Sequence, residues 1–467
     1  SHAGDGRLYR YDVAHPMRGL VPLTIYGDVR HGDLEIDTAR GLVYAVREDH
    51  RAGGEAVNSL VAIPLDGSAA REDAPVTTVV AGTDFVTSPT LSPDGEHLAW
   101  ITWDHPSMPW ESTTLHVGDL LPDGRIGEQT VVGGGDDAVS EPRWTEECDL
   151  VHISNASGFS NLYRTEGFPR RGTNREGWTT RLRTRPLHPV EATFTSPAWA
   201  LGPHHYDVLD GKHLVASWAR NGVWHLGAIR LSNGELEEWN IGWQPLGNVA
   251  SSAGRVVMLA GNEMEPPAII EVRDGHVEVL RGSGELATEA IGISLPTPMA
   301  WPTTAQATAH GFFYPPASAS HTGPDDELPP LIVNVHGGPT AAARPGYDLG
   351  IQYWTSRGFA YLDVNYRGST GYGTSYRHAL NGHWGVYDVD DVIAGAEFLA
   401  ASGEIDPARI AVRGASAGGF TVLAALTRST VFSAATSLYG VADLARLTRT
   451  THKFESRYIG TLVGADG

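Results

Sequence analysis

The sequence predicts two architectures in succession, a β-propeller and then an α/β domain, with the change near residue 294. A repeat of about 50 residues predicts the first. Short apolar runs alternating with helical stretches predict the second.

The repeat is read from five anchors, each followed by a strand-like run. Leu34-Glu-Ile-Asp precedes Gly41-Leu-Val-Tyr-Ala-Val, and Pro89-Thr-Leu-Ser-Pro-Asp-Gly precedes His97-Leu-Ala-Trp-Ile-Thr-Trp. Pro142-Arg-Trp-Thr, Pro197-Ala-Trp-Ala and Asn248-Val-Ala-Ser open the other three units. Positions 34, 89, 142, 197 and 248 lie 55, 53, 55 and 51 apart. Within each unit β-branched, aromatic and polar residues alternate between turn signals, which suits several strands per unit. One such unit cannot cover both its faces, so the units must stack. The tryptophans at 100, 103, 144, 199 and 218 read as packing between units. Residues 1–293 are assigned to the propeller.

From residue 294 to 467 the pattern is that of a parallel sheet. Leu331-Ile-Val-Asn-Val, Ala360-Tyr-Leu-Asp-Val and Ile410-Ala-Val-Arg are apolar runs typical of buried parallel strands. A helix is expected over 386–401, and its early acids Asp388, Asp390 and Asp391 suit a helix N-terminus.

The chemistry concentrates at Gly414-Ala-Ser416-Ala-Gly418-Gly419, between the strand at 410–412 and the helical Phe420-Thr-Val-Leu-Ala-Ala-Leu. That context makes G-x-S-x-G a nucleophile elbow of the α/β-hydrolase type, with Ser416 as nucleophile. His336-Gly337-Gly338-Pro339 follows an early strand, where a glycine pair can aim main-chain N–H groups at an oxyanion. The N–H of Ala417, after the nucleophile, is the second expected donor. His336 precedes the serine, whereas this fold orders its triad serine, acid, histidine, so it is read as shaping the oxyanion loop. The glycine-rich Asn365-Tyr-Arg367-Gly-Ser-Thr-Gly-Tyr-Gly373 lacks the endings of phosphate and dinucleotide loops and reads as structural.

In this order and behind a propeller, these three motifs resemble the prolyl oligopeptidase family of serine peptidases, in its acylaminoacyl-peptidase and aminopeptidase branch. The segments Trp103–Glu111 and Thr451–Tyr458 resemble bacterial members of that branch. The resemblance implies a seven-bladed propeller, a preference for short peptides and an acyl-enzyme on the serine. Other branches place a tyrosine where this chain has His336, so its absence implies that the N–H groups of Gly338 and Ala417 form the oxyanion hole. Five repeats and a leading fragment at 6–11 imply that N-terminal blades are absent. Only 51 residues follow Ser416, with His452 as their one histidine and Asp443, Glu455 and Asp466 as their acids. His452 comes too soon after the elbow to be the expected base. The triad acid and histidine are therefore expected beyond residue 467, and the chain as written is expected to be inactive.

An aminopeptidase needs a carboxylate for the substrate's amine. The candidates are Asp104, Glu111, Glu141 and Glu191, each of which also reads as a solvated or structural acid. Trp110 and Met108 are candidates for an apolar pocket wall. A net charge of −21 argues against nucleic-acid or anionic-membrane partners. The single Cys148 and the absence of an apolar leader in the first residues suggest the cytoplasm. No metal or organic cofactor is indicated, and a homo-oligomer is left open. Two competing readings remain: an esterase or small-amide hydrolase on the same fold, and a propeller scaffold with an inactive hydrolase domain.

Overall fold

The computed structural model describes residues 4–173, 176–284, 292–324 and 326–464. Asp466 lies outside them. A hairpin of β1 (Tyr9–Tyr11) and β2 (Leu20–Pro22) comes first. Five four-stranded antiparallel sheets follow, each wound in sequence order. They comprise β3 (Val29–Asp37), β4 (Leu42–Asp49), β5 (Val57–Pro64) and β6 (Thr77–Val80); β7 (Phe85–Leu91), β8 (His97–Trp103), β9 (Thr114–Leu120) and β10 (Ile126–Gly134); β11 (Val139–Trp144), β12 (Leu150–Ser154), β13 (Asn161–Glu166) and β14 (Arg183–Pro186); β15 (Tyr206–Asp210), β16 (His213–Arg220), β17 (Val223–Arg230) and β18 (Leu236–Glu238); and β19 (Gln244–Ser252), β20 (Arg255–Gly261), β21 (Ala268–Arg273) and β22 (His276–Gly282).

The repeat anchors mark a shared backbone device. In β3, β7, β11 and β19 the ladder shifts register, and Asp33, Ser88, Glu141 and Asn248 take φ of 52°, 54°, 52° and 58° there. Such bulges bend a strand and re-aim its side chains. Two of their side chains, Asp33 and Glu141, reach the next unit. Asp33 Oδ2 accepts from Ser88 N and Thr87 Oγ1, both at 2.6 Å. The fourth anchor departs from expectation. Pro197 is not in a strand: Thr193 bridges to Ala219, His205 O accepts from Ser217 N, and residues 194–204 leave the sheet between them.

Successive sheets pack face to face. Tyr44, Leu60 and Ala62 of the first meet Leu98 and Trp100 of the second, and Val151 and Leu162 of the third meet Leu214 and Trp218 of the fourth. Trp100, Trp103, Trp144 and Trp218 are all buried in these layers, removing large apolar areas from water.

The C-terminal α/β region is one six-stranded sheet in the order β23 (Thr297–Pro302), β24 (Thr308–Tyr314), β26 (Ala360–Asn365), β25 (Leu331–Val335), β27 (Ile410–Ala415), β28 (Ala434–Leu438). The last four are mutually parallel; β23 and β24 join antiparallel. Helices α1 (Leu349–Thr355), α2 (Thr374–His378), α3 (Tyr387–Ser402), α4 (Ala417–Arg428), α5 (Leu444–Thr450) and α6 (Tyr458–Val463) accompany it. In α3 the early acids do more than favour a helix start. Asp388 and Asp391 are fully buried, and Asp391 takes both Arg367 Nε and Nη2, at 3.0 and 2.7 Å. The boundary expected at 293–294 falls between β22 and β23, beside residues 285–291, which lie outside the described set. No described helix is long and apolar enough to cross a membrane.

Candidate active site

Ser416 joins β27 to α4 in a backbone conformation that disfavours side chains, φ 54° and ψ −120°. Its main chain is fixed from both sides: its N–H donates to Leu438 O at 3.0 Å, and its carbonyl accepts from Phe420 N and Val441 N. The side chain is exposed at the start of α4. The turn requires glycine on both flanks. A Cβ on Gly414 would stand 2.5 Å from Gly418 O, and one on Gly418 would stand 2.2 Å from Val335 O. The local motif thus brings the end of β25 against the elbow.

That approach carries the His336–Pro339 loop to the nucleophile. A Cβ on Gly337 would lie 3.4 Å from Ser416 Cβ, and Gly338 takes φ +124°. Among the described residues neither Gly338 N nor Ala417 N is engaged in a hydrogen bond. The loop is held in place by its neighbours. His336 stacks on Tyr366 at 4.3 Å, its Nε2 meets Ser369 Oγ at 2.8 Å, and its Nδ1 meets Gly337 O at 2.8 Å. Burial pushes the imidazole down to about 4, so it stays neutral at ordinary pH. Tyr366 and Ser369 belong to the glycine-rich loop, whose Arg367 is clamped by Asp391. That loop supports the oxyanion loop from behind.

Thr340, two residues past Gly338, is gripped by aromatic residues from both halves of the chain. Tyr458 OH lies 2.5 Å from its Oγ1 and accepts from its N–H at 3.3 Å, and Trp199 Nε1 donates to its carbonyl at 2.7 Å. Trp110 packs on both, with ring centroids 4.6 Å from Trp199 and 5.7 Å from Tyr458. Met108 is buried in the same cluster. Sequence reasoning took Trp199 for packing between repeats and did not find Tyr458. The only local signal was the likeness of the Thr451–Tyr458 segment to family members.

The candidate acids disperse. Asp104 is exposed and accepts from Asp84 N, and Glu191 is exposed. Glu111 bridges to the α/β region, with His378 Nε2 at 2.5 Å and Arg377 Nη2 at 3.3 Å. Burial alone would raise its carboxyl, but the His378 hydrogen bond and the Arg377 charge hold it below its ordinary value. Glu141 is buried. It meets His205 Nδ1 at 2.7 Å and accepts from His205 N at 2.7 Å and Thr195 Oγ1 at 2.6 Å. Burial raises its carboxyl, and the His205 interactions outweigh that and lower it. His452 is exposed, 3.5 Å from Glu455. A cavity of about 820 Å³ lies among the first sheets, the 195–203 loop and residues 451–454, and of these four acids only Glu141 lines it. Smaller cavities of about 50 and 210 Å³ share Thr195, Ser196, Thr370 and Gly371. None of the three is lined by Ser416. No group of three or more metal-ligating side chains occurs among the described residues.

Comparison with known proteins agrees with this geometry. The crystal structure of a puromycin hydrolase superposes with a TM-score of 0.90 at 34% identity, covering 99% of this chain and 70% of that one. A puromycin-hydrolyzing peptidase of Mycobacterium tuberculosis gives 0.90 at 36%, covering 98% and 70%. Dipeptidyl aminopeptidase BIII of Pseudoxanthomonas mexicana is 33% identical over 147 residues, 31% of this chain and 21% of that protein. Acylamino-acid-releasing enzyme 1 of Oryza sativa subsp. japonica is 35% identical over 128 residues, 27% of this chain and 16% of its own length. Matches to these two curated relatives thus span about a fifth of their length or less. The family model described as the prolyl oligopeptidase family matches residues 345–466. With an elbow serine on a mixed α/β sheet behind five antiparallel sheets, and relatives aligned along almost its whole length, the chain belongs to the prolyl oligopeptidase family.

Proposed function

We propose that this chain carries the nucleophile of a serine peptidase that cleaves short peptides or small aminoacyl amides from their N-terminal end. One observation carries the reading: Ser416 is exposed on a strained elbow, beside two uncommitted main-chain donors at Ala417 and Gly338. Residues 294–467 act as the hydrolase domain and residues 1–293 as a propeller, because the first strands of successive sheets contact one another around a central cavity.

In the reaction Ser416 Oγ attacks the scissile carbonyl and passes its proton to a histidine base, which an acid orients. In this fold both follow the nucleophile in chain order. The carbonyl oxygen becomes an oxyanion and accepts from the N–H groups of Ala417 and Gly338. Collapse breaks the C–N bond, and the amine leaves with the proton from the histidine. Water then attacks the acyl-enzyme ester and releases the acid, restoring Ser416. His336 holds the oxyanion loop and takes no proton. Glu141, the candidate acid that reaches the large cavity, is assigned to the substrate's free amine, and Trp110 to an apolar wall, with Met108 packed in the core behind it.

The test compares the full-length protein, including whatever follows residue 467, with its Ser416→Ala variant on matched aminoacyl and N-acetyl-aminoacyl p-nitroanilides. Serine-dependent activity on the free-amine substrate supports the proposal, and activity on the acetylated one alone makes the enzyme an acylaminoacyl peptidase. Hydrolysis of p-nitrophenyl esters without either anilide supports the esterase reading. Full activity in Ser416→Ala removes Ser416 from the mechanism.

A further inference from the structure

The 210 Å³ cavity is lined by a cation that faces no acid among the described residues. Arg344 lines it six residues after Gly338, together with Trp224, Gly222, Ala341, Ala342, Thr195, Ser196 and Thr370. Its guanidinium stacks on the Trp224 indole at 4.4 Å and, among the described residues, makes no hydrogen bond or ion pair. This contrasts with Arg367 and Arg377, buried arginines of the α/β region that both face carboxylates. Burial with no compensating acid lowers the Arg344 guanidinium to about 10. A half-buried guanidinium whose donors face a cavity is a binding group for an anion, most strongly a planar carboxylate taken side-on.

We propose that Arg344 receives the C-terminal carboxylate of a short peptide substrate. The proposal rests on the peptidase reading above and narrows its substrate class to peptides with a free carboxyl end. Three observations support it. The cavity adjoins the oxyanion loop through Ala341 and Ala342, and Thr370 N donates to Ala341 O at 2.9 Å, so the cation sits on the scaffold that carries Gly338. At about 210 Å³ the cavity is smaller than the roughly 300–1,000 Å³ of a whole-ligand site, so it suits the end of a ligand. The chain's net charge of −21 disfavours anions elsewhere, which leaves a half-buried arginine with no acid beside it among the described residues as a local exception. The hydroxyls of Thr195, Ser196 and Thr370 offer further donors to the same carboxylate. The His205 ring also stacks on Trp224, at 5.3 Å, and His205 meets Glu141. The acid assigned to a substrate amine and the cation assigned to its carboxylate are thus linked through His205 and Trp224.

The experiment measures binding without turnover. Trialanine, trialanine amide and alanyl-glutamyl-alanine amide are titrated calorimetrically into the Ser416→Ala protein, with and without Arg344→Met. The free acid is expected to bind about 10-fold or more tighter than its amide, a preference lost in Arg344→Met and partly kept in Arg344→Lys. Equal affinity for acid and amide, or a preference that survives Arg344→Met, overturns the proposal. Tighter binding of the glutamyl amide than of the free acid overturns the assignment to the chain end. The anilide assay of the serine enzyme reports on the peptidase reading separately, because anilides have no carboxylate.

Discussion

Trp199 Nε1 donates to the main-chain carbonyl of Thr340 across 2.7 Å and 141 residues of sequence. Tyr458 holds the N–H and hydroxyl of the same residue, and Lys453, in the segment leading to Tyr458, is tied to Ala56 O, Asn58 Oδ1 and Asp84 O, at the starts of β5 and β7. The oxyanion loop is thereby positioned by groups reaching back into the N-terminal sheets. Trp199→Phe keeps the ring and deletes the donor. The expected result is a fall in kcat of about tenfold or more with KM little changed, since sub-ångström misplacement of catalytic groups acts on the transition state. Steady-state kinetics on an aminoacyl anilide checks it, and an equal change in kcat and KM would argue for general loosening instead.

Gly418 has no room for a side chain. Because the clash of Gly418→Ala is with main-chain oxygens of Val335 and His336, β25 and α4 must separate. A loss of about 3 kcal/mol is expected, seen as a lowered apparent Tm. A variant melting with the wild type would show that the elbow is looser than described.

The Arg367–Asp391 pair is buried, with side-chain exposures of 4% and 0%. Thr303 Oγ1 also donates to Asp391 at 2.7 Å. Asp391→Ala strands a guanidinium in the interior and is expected to cost about 3–5 kcal/mol. The double variant Asp391→Leu with Arg367→Met should recover most of that stability. Urea denaturation of the three proteins measures it.

Asp388 makes stability depend on pH. Burial pushes its carboxyl up to about 6, despite hydrogen bonds from Thr421 Oγ1 and Gly385 N. A folded pKa above the unfolded value means that the protonated acid favours folding. That stability is present below about pH 4 and is lost as pH rises through about 6. Asp388→Asn stays neutral throughout. Between pH 4 and pH 8 the variant should gain about 3 kcal/mol on the wild type. Melting curves across that range test it, and parallel pH profiles would contradict it.

Much of this molecule was legible in the sequence because it rests on local rules. The apolar runs at 331–335, 360–364 and 410–413 became β25, β26 and β27, since a buried parallel strand is apolar on both faces. Four of the five repeat anchors sit at a bulge in the first strand of a sheet. The elbow was readable because its motif is short and lies between a strand and a helix, although only the Gly414–Gly418 contact is local and Gly418 also answers to Val335 and His336. The anchor at Pro197 misled because a repeat in sequence does not say where a strand gives way to a loop. The 194–204 excursion exists to reach the α/β region, and a contact at that range leaves no periodicity.

By itself the sequence determined the order of the sheets, the serine and the glycines beside it, each fixed by spacing along the chain. Only the tertiary structure decided which acids were already engaged, Glu111 with Arg377 and His378, and Glu141 with His205. Among the described residues it also left Arg344 without an acid, stacked only on Trp224, while Arg367 and Arg377 have theirs. Whether a charge is paired depends on distances of a few ångströms between segments 60 to 270 residues apart, and electrostatic energy depends on those distances and on burial rather than on sequence position.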